Sequence, residues 1–317
     1  MPSIFVTGAM GFIGSAICRS LSTEKIIGID FVGGSHNNKI HLEVIDLTDN
    51  KSVTRIYEKH SPDTVIHCAG IAHQKIGAFD AKTYLRVNSE ATEKFAKAAA
   101  MSNPDLHFIF LSTISVYGEN HLIQPISENT LCSPSSDYAL SKLDAEKRLI
   151  RLYEEGLFRR LTILRLAPVY DREWNLNLER RIFAPGKIAY LKFGSGNQKM
   201  SALARPNLVE FIEYLLESPL DNRGIEILNV CDNEPYSFAE IIQAFKNSGT
   251  YPIRPIMTIP LPIVWSATRI AGLVLRNKKY WLHSCYAKLA SDLVFDNSKM
   301  IQTGFKPRYS LKTIYSQ

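Results

Sequence analysis

Across roughly its first 170 residues this chain alternates short β-branched runs with longer stretches of helical periodicity, and few folds tolerate that order. SIFVTG, KIIGID, LEVIDL, TVIHCAG, HFIFLS and LTILRL each read as a buried strand. Runs of that length suit parallel strands covered on both faces. Helical patterns fall between them near 11–22, 50–60, 80–102 and 136–155. Strict strand–helix alternation predicts an α/β fold built on a doubly wound parallel sheet. Further along, 176–205 and 250–290 break the order, while 207–217, 227–230 and 237–247 resume it. A main domain over 1–170 and a smaller region over 171–317 are expected, with segments of about 207–247 returning to the main sheet.

The first strand runs directly into Thr7-Gly8-Ala9-Met10-Gly11-Phe12-Ile13-Gly14, which opens the first helix. Gly8 permits a tight turn, Gly11 lets backbone N–H groups approach a pyrophosphate, and Gly14 lets the helix lie close to the strand. Strand, glycine turn and helix together point to a dinucleotide lying along Met10, Phe12 and Ile13. Asp30 ends the second strand, where an acidic residue can grip the adenine-ribose hydroxyls. Phe31 follows it rather than an arginine, and basic residues arrive only at His36 and Lys39. NAD is therefore expected over NADP. Asp46 and Leu47 are placed at the adenine ring, and Cys68, Ala69 and Gly70 against the cofactor. His67 reads as a packed strand residue. Asn88, on the next helix, is a candidate anchor for a strand or a water chain near the site.

Tyr138-Ala-Leu-Ser-Lys142 sets a phenol and an ammonium four residues apart, on one helix face. A nearby cation lowers a phenol's pKa, so the pair is expected to exchange a proton with a substrate oxygen near neutral pH. Lys142 can also hold the nicotinamide ribose. LSTISVYG supplies a third group after the fifth strand: Thr113, with Ser112 as the substitute candidate. These motifs fall at strand C-termini or on the following helix, where such sheets bind ligands.

Charge and cysteine usage narrow the remaining classes. A net charge of +6 is spread out, with no aromatic-interleaved basic stripe to suggest nucleic acid. Five cysteines without a CxxC pair or zinc-like spacing argue for reduced thiols and no metal. The N-terminal run enters a strand at once, so no signal peptide and a cytoplasmic location are expected. The apolar segment 259–275 is short for a spanning helix and carries Arg269 near its middle. Leu261, Val264, Trp265, Thr268, Gly272 and Leu275 fall at helical spacing, which predicts a packed helix. The alternative is a peripheral membrane contact helped by Arg276, Lys278 and Lys279.

TGAMGFIG, Asp30, HCAG, Asn88, STISVYG and YALSK together resemble the extended short-chain dehydrogenases of the NAD-dependent epimerase/dehydratase family. The likeness continues through RLAPVY (165–170), FGSGNQK (193–199) and DNSKMIQTGFKPRYSL (296–311). It implies a Rossmann domain carrying Thr113, Tyr138 and Lys142 as catalytic residues, a C-terminal substrate-binding region, bound NAD and a homodimer. The tail from IPLPIVW to GFKPRYSL resembles epimerases and keto-sugar reductases of bacterial surface-polysaccharide pathways.

Several positions depart from the family. Ile114 and Ser115 follow Thr113 where the dehydratases carry Asp and Glu, so dehydration is not expected. Pro168 stands where galactose-type epimerases often have Asn, and it is placed among the cofactor contacts. The Arg that usually clamps the diphosphate is replaced by Met200, leaving Lys199 and Arg205 as candidate substrate ligands. The family's His-Val-Asp-Asp run reads Ala204-Arg205-Pro206-Asn207. The expected function is C4 epimerisation of a nucleotide-diphosphate sugar, a UDP-hexose or UDP-N-acetylhexosamine, through a 4-keto intermediate. Rivals are a reductase of 4-keto-6-deoxy nucleotide sugars, a non-catalytic NAD-sensing module and an oxidoreductase of a non-sugar alcohol.

Overall fold

The chain builds a seven-stranded sheet in the order β11-β6-β5-β4-β1-β2-β3. Those strands are β1 (Ser3–Thr7), β2 (Lys25–Asp30), β3 (His41–Val44), β4 (Thr64–His67), β5 (His107–Thr113), β6 (Arg160–Leu166) and β11 (Gly224–Val230). The computed structural model describes residues 3–21, 25–34, 40–72, 79–118, 125–217, 224–251, 253–275, 282, 286–287 and 289–316. Helices α1 (Gly14–Ser20), α2 (Asn50–Lys59), α3 (Ala81–Leu85), α4 (Ala91–Ser102) and α5 (Asp137–Glu154) alternate with the strands. β1 pairs in parallel with both β2 and β4, Val6 lying opposite Gly28 on one side and Ile66 on the other. The chain thus winds outward through β2 and β3, then returns to the far side of β1. That reversal opens a crevice at the C-terminal ends of β1 and β4, where such sheets take their ligands.

β1, β4 and β5 are buried at every residue, because helices cover both faces of the sheet. β3 departs from the expected buried run. It stops at Val44 and leaves His41 and Val44 exposed, since it forms the sheet's edge and pairs on one side only. A seventh strand forms around the 227–230 run. The single long helix expected over 80–102 contains one wide turn, Arg86–Glu90, between α3 and α4. Such turns insert a residue into the helical ladder and re-aim a side chain; this one carries the fully buried Asn88.

The chain forms two compact units. The first comprises Met1–Gly118, Leu131–Arg165 and Val209–Leu228. Its core brings Phe5, Val65, Phe108 and Phe110 of the sheet together with Phe95, Leu149 and Leu152 of the covering helices. The second unit comprises Glu119–Thr130, Leu166–Leu208 and Asn229–Gln317. It contains α6 (Leu176–Ile182), α8 (Phe238–Asn247), α9 (Leu261–Val274), α10 (Ser298–Gln302) and α11 (Leu311–Tyr315), together with the first four residues of α7 (Arg205–Glu217), whose remainder belongs to the first unit. Its short strand pairs are β7 (Val169–Tyr170) with β10 (Leu203–Ala204), β9 (Lys199–Met200) with β12 (Tyr236–Ser237), and β8 (Tyr190–Phe193) with β13 (Ile256–Ile259).

A separate core gathers Tyr170, Tyr190, Met200, Phe238, Phe245 and Tyr315. At its centre the buried Asp232 accepts hydrogen bonds from the Tyr170 hydroxyl (2.7 Å), the Tyr236 hydroxyl (2.9 Å), Asn207 Nδ2 (2.7 Å) and the Ala204 amide (2.8 Å). α9 forms as expected, with Gly272 buried and Leu261, Val264 and Thr268 half-buried. Trp265 and Leu275, expected on the packed side, are each 48% exposed. Arg276, Lys278 and Lys279 lie outside the described residues. Among the described residues no helix is long and apolar enough to cross a membrane.

Candidate functional site

At the end of β1 the Thr7 hydroxyl ties two strands together. It accepts from the Ala69 amide at 3.1 Å and bonds His67 Nδ1 at 3.0 Å. The other ring nitrogen of His67 meets Thr92 Oγ1 at 2.9 Å. Burial draws this imidazole down to about 3, with Lys142 reinforcing the shift, so it is neutral and acts as a packed strand residue. Gly8 turns at φ +67°, and any side chain there would strike the Ala69 backbone. A side chain on Gly14 would fall on the Gly8 carbonyl. The resulting turn, closed by Gly11 N–H donating to Gly8 O at 2.9 Å, leaves backbone at the mouth of the crevice.

Asp30 ends β2 with its carboxylate held in place: Oδ2 accepts from the Met10 amide at 2.8 Å and Oδ1 from the Val32 amide at 3.1 Å. An ionised carboxylate has about four lone-pair sites, so two remain for ribose hydroxyls. Phe31 beside it is exposed. Phe12 and Ile13 are half-buried. Asp46 Oδ1 accepts from the Thr48 amide and hydroxyl, both at 2.8 Å, and Leu47 packs against the first unit's core. Backbone donors, a close-approach glycine turn and a pre-oriented carboxylate fit a dinucleotide with a free ribose 2′-hydroxyl. NAD(H) should bind at least about tenfold more tightly than NADP(H), a difference of about 1.4 kcal/mol. Asp30→Ala should erase most of that gap in calorimetric titration; an unchanged gap would place cofactor discrimination elsewhere. His36 and Lys39 lie outside the described residues.

Tyr138 and Lys142 share one face of α5. The phenol hydrogen-bonds the Thr113 hydroxyl, and its ring meets Tyr84 edge-on at 6.4 Å between centroids. Burial pushes the phenol up to about 12, against the Thr113 hydrogen bond that lowers it. This differs from the expectation that Lys142 pulls the phenol down. The ammonium is engaged elsewhere: Nζ donates to the Leu111 carbonyl at 2.9 Å and sits 4.6 Å over the Phe110 ring. Burial draws Lys142 down to about 8, opposed by Cys68 and Glu146.

Gly70 lies beside both Lys142 Nζ and Asn88. Asn88 clamps the segment after β4: Oδ1 accepts from the Ile71 amide at 2.7 Å, and Nδ2 donates to the Ile71 carbonyl (3.1 Å) and Ser141 Oγ (3.0 Å). The arrangement can hold one oxygen between a hydroxyl and a phenol, with an ammonium close by.

Ser112 and Thr113 part company here. Ser112 donates to the Glu146 carboxylate and is not on the phenol. Glu146, fully buried one turn beyond Lys142, is also gripped by Arg165: Nη2 donates to Oε2 at 2.7 Å and Nε to both oxygens at 3.2 Å. Arg165 Nη1 donates to the Tyr117 hydroxyl at 3.0 Å. Glu146, Arg165 and Tyr117 were not singled out from the sequence. The four-residue register Tyr138, Lys142, Glu146 is the signal that could have found the first of them.

The remaining sequence-derived candidates lie in the second unit. The Pro168 carbonyl accepts from the Leu203 amide at 3.1 Å. The Lys199 amide donates to Asp292 Oδ1 at 2.8 Å, and its side chain is exposed. Arg205 pairs with Asp171. Met200 is a core residue, 1% exposed.

The profile of the NAD dependent epimerase/dehydratase family matches residues 4–231. The UDP-glucose 4-epimerase of Vibrio cholerae is 28% identical over 323 residues, covering 99% of this chain and 94% of the relative. The N-acetyl-alpha-D-glucosaminyl-diphospho-ditrans,octacis-undecaprenol 4-epimerase of Escherichia coli O157:H7 is 26% identical, covering 98% of this chain and 92% of the relative. Among solved structures, UDP-glucuronic acid 4-epimerase from Bacillus cereus in complex with NAD superposes with a TM-score of 0.72. It is 23% identical and covers 99% of this chain and 96% of that one, a likeness of fold.

Proposed function

This chain belongs to the NAD dependent epimerase/dehydratase family, and from that premise we propose that it inverts C4 of a nucleotide-diphosphate sugar, a UDP-hexose or UDP-N-acetylhexosamine. The observation that carries the reading is the Thr113–Tyr138 hydrogen bond with Lys142 held one turn away. Ile114 and Ser115 support epimerisation over dehydration, since neither supplies a carboxyl group to eliminate water. Near-full-length relatives named as 4-epimerases point the same way.

NAD, when bound, would supply the acceptor and donor for the C4 hydride. Gly8, Gly11, Gly14 and Asp30 would hold its pyrophosphate and adenine ribose, and Lys142 its nicotinamide ribose. Thr113 and Tyr138 would bind the C4 oxygen together. In its ionised form the Tyr138 oxygen would take the hydroxyl proton as the 4-keto sugar forms, becoming the neutral phenol, and would give that proton back after the sugar presents its other face. Thr113, the group that pulls the phenol toward ionisation, eases that exchange. Lys199 and Arg205 are the proposed contacts for the substrate's diphosphate.

The purified protein should interconvert a UDP-sugar and its C4 epimer without added cofactor, because each turnover restores the cofactor it used. Incubation with several UDP-hexoses and UDP-N-acetylhexosamines, followed by chromatographic separation of C4 epimers, checks this. Turnover of 4-keto sugars alone, with one NAD(P)H consumed per product, would overturn it in favour of a reductase.

The exposed apolar side of α9 favours a second reading, in which the same chemistry acts on a sugar carried by a diphospho-polyprenol. The Escherichia coli relative is named for a substrate of that type. Adding such a substrate to the same assay distinguishes the two carriers.

A further inference from the structure

α9 is apolar on the side it turns away from its own unit. Ile263, Ile270 and Val274 stand seven and four residues apart and so stack on one face, with Leu273 beside them. These four side chains are between 60% and 77% exposed. Ser266 is the polar member of that arc, and it too is exposed. Leaving four large aliphatic side chains in water along one helix forfeits the burial that stabilises helices of this kind. Trp265 borders the arc, and the Arg269 guanidinium lies 5.0 Å over its ring. An indole and a guanidinium flanking an apolar strip suit the level of lipid headgroups, where each can keep an apolar body inward and a polar edge wet.

Charge identifies the partner. From residue 241 to residue 291 the sequence holds no Asp or Glu and seven Lys or Arg, four of them (Arg276, Lys278, Lys279 and Lys288) after α9. The whole chain carries a net +6, so this stretch alone accounts for more positive charge than the protein's total. Two copies of the chain meeting through it would bring like charges together. An anionic surface would instead gain attraction from every basic residue near it. With 14 residues α9 is too short to span a bilayer, but long enough to lie in its interface.

We propose that the Ile263–Ile270–Leu273–Val274 face of α9 docks on the surface of an anionic phospholipid bilayer, steered by the acid-free, basic stretch of sequence to which α9 belongs. This holds for either sugar carrier and does not depend on the reaction assigned above. It makes the protein a peripheral membrane protein, with the apolar strip at the acyl boundary and Arg269 among the phosphates.

The test is co-sedimentation of the purified full-length protein with vesicles of phosphatidylcholine alone and of equal parts phosphatidylcholine and phosphatidylglycerol. Binding to the mixed vesicles is expected, at least about tenfold weaker to the neutral ones and largely released in about 0.5 M salt. Ile270→Asp and Leu273→Asp, at exposed positions, should each weaken binding by about tenfold or more, the worth of burying one large aliphatic side chain. Ser266→Leu should strengthen it, which keeps the proposal testable should an Asp variant fold poorly. Turnover of a soluble UDP-sugar should be unchanged in all three, so a failure here is separate from a failure of the epimerase reading. Absence of binding to the mixed vesicles would overturn the proposal, as would vesicle binding indifferent to all three substitutions. A solution mass halved by Ile270→Asp with vesicle binding intact would also overturn it, showing that a second copy covers the face.

Discussion

Replacing Tyr138 with phenylalanine should lower turnover by roughly 10²–10⁴-fold, the usual worth of a positioned acid–base group. Folding and cofactor binding should survive, because the ring keeps its edge-on packing against Tyr84 and loses only the hydroxyl that meets Thr113. Burial pushes the phenol up to about 12, so the ionised form that can take the C4 hydroxyl proton is a small fraction in the neutral range and grows as pH rises. The size of the loss should therefore increase with pH across that range. Steady-state kinetics on a UDP-sugar, with circular dichroism to confirm the fold, checks both statements. A phenylalanine variant with near-normal turnover would remove Tyr138 from the chemistry.

Removing Arg165 should have the largest effect on stability. Arg165→Leu would leave the Glu146 carboxylate fully buried, with Ser112 as its remaining hydrogen-bond donor. Breaking a buried pair by deleting one partner costs about 3–5 kcal/mol, far more than loss of a surface ion pair. The comparison that isolates the charge is Arg165→Leu combined with Glu146→Met, which removes both charges and fills similar volume. It should recover most of the loss, since well-packed apolar groups replace buried pairs at little net cost. Urea unfolding of the three proteins measures this. A single variant within about 1 kcal/mol of the parent would mean that Glu146 finds solvent or another cation.

Much of the first unit was legible because its signals are local. Parallel strands buried on both faces must be continuous apolar runs, so β1, β2, β4, β5 and β6 stood out by composition. β3 was misread as buried because the same β-branched residues also serve an edge; which strand ends the sheet depends on pairing, and pairing is not local. In α9 helical spacing identified the element, but not how much of its apolar surface the protein covers. Trp265 and Leu275 sit at the right intervals and are still half in water.

The site divides the same way. By itself the sequence determined the glycine turn, the acidic end of β2 and the four-residue interval between Tyr138 and Lys142. Each is a statement about neighbours on one strand or one helix, where backbone geometry sets the spacing. Only the tertiary structure decided that Thr113, and not the adjacent Ser112, meets the phenol. It also decided that Lys142 spends its ammonium on the Leu111 carbonyl, 31 residues away, rather than on Tyr138. The Glu146–Arg165 pair, 19 residues apart on α5 and β6, was invisible for the same reason. Periodicity reports that a face is buried, while the partner it meets depends on how separate elements pack around the sheet.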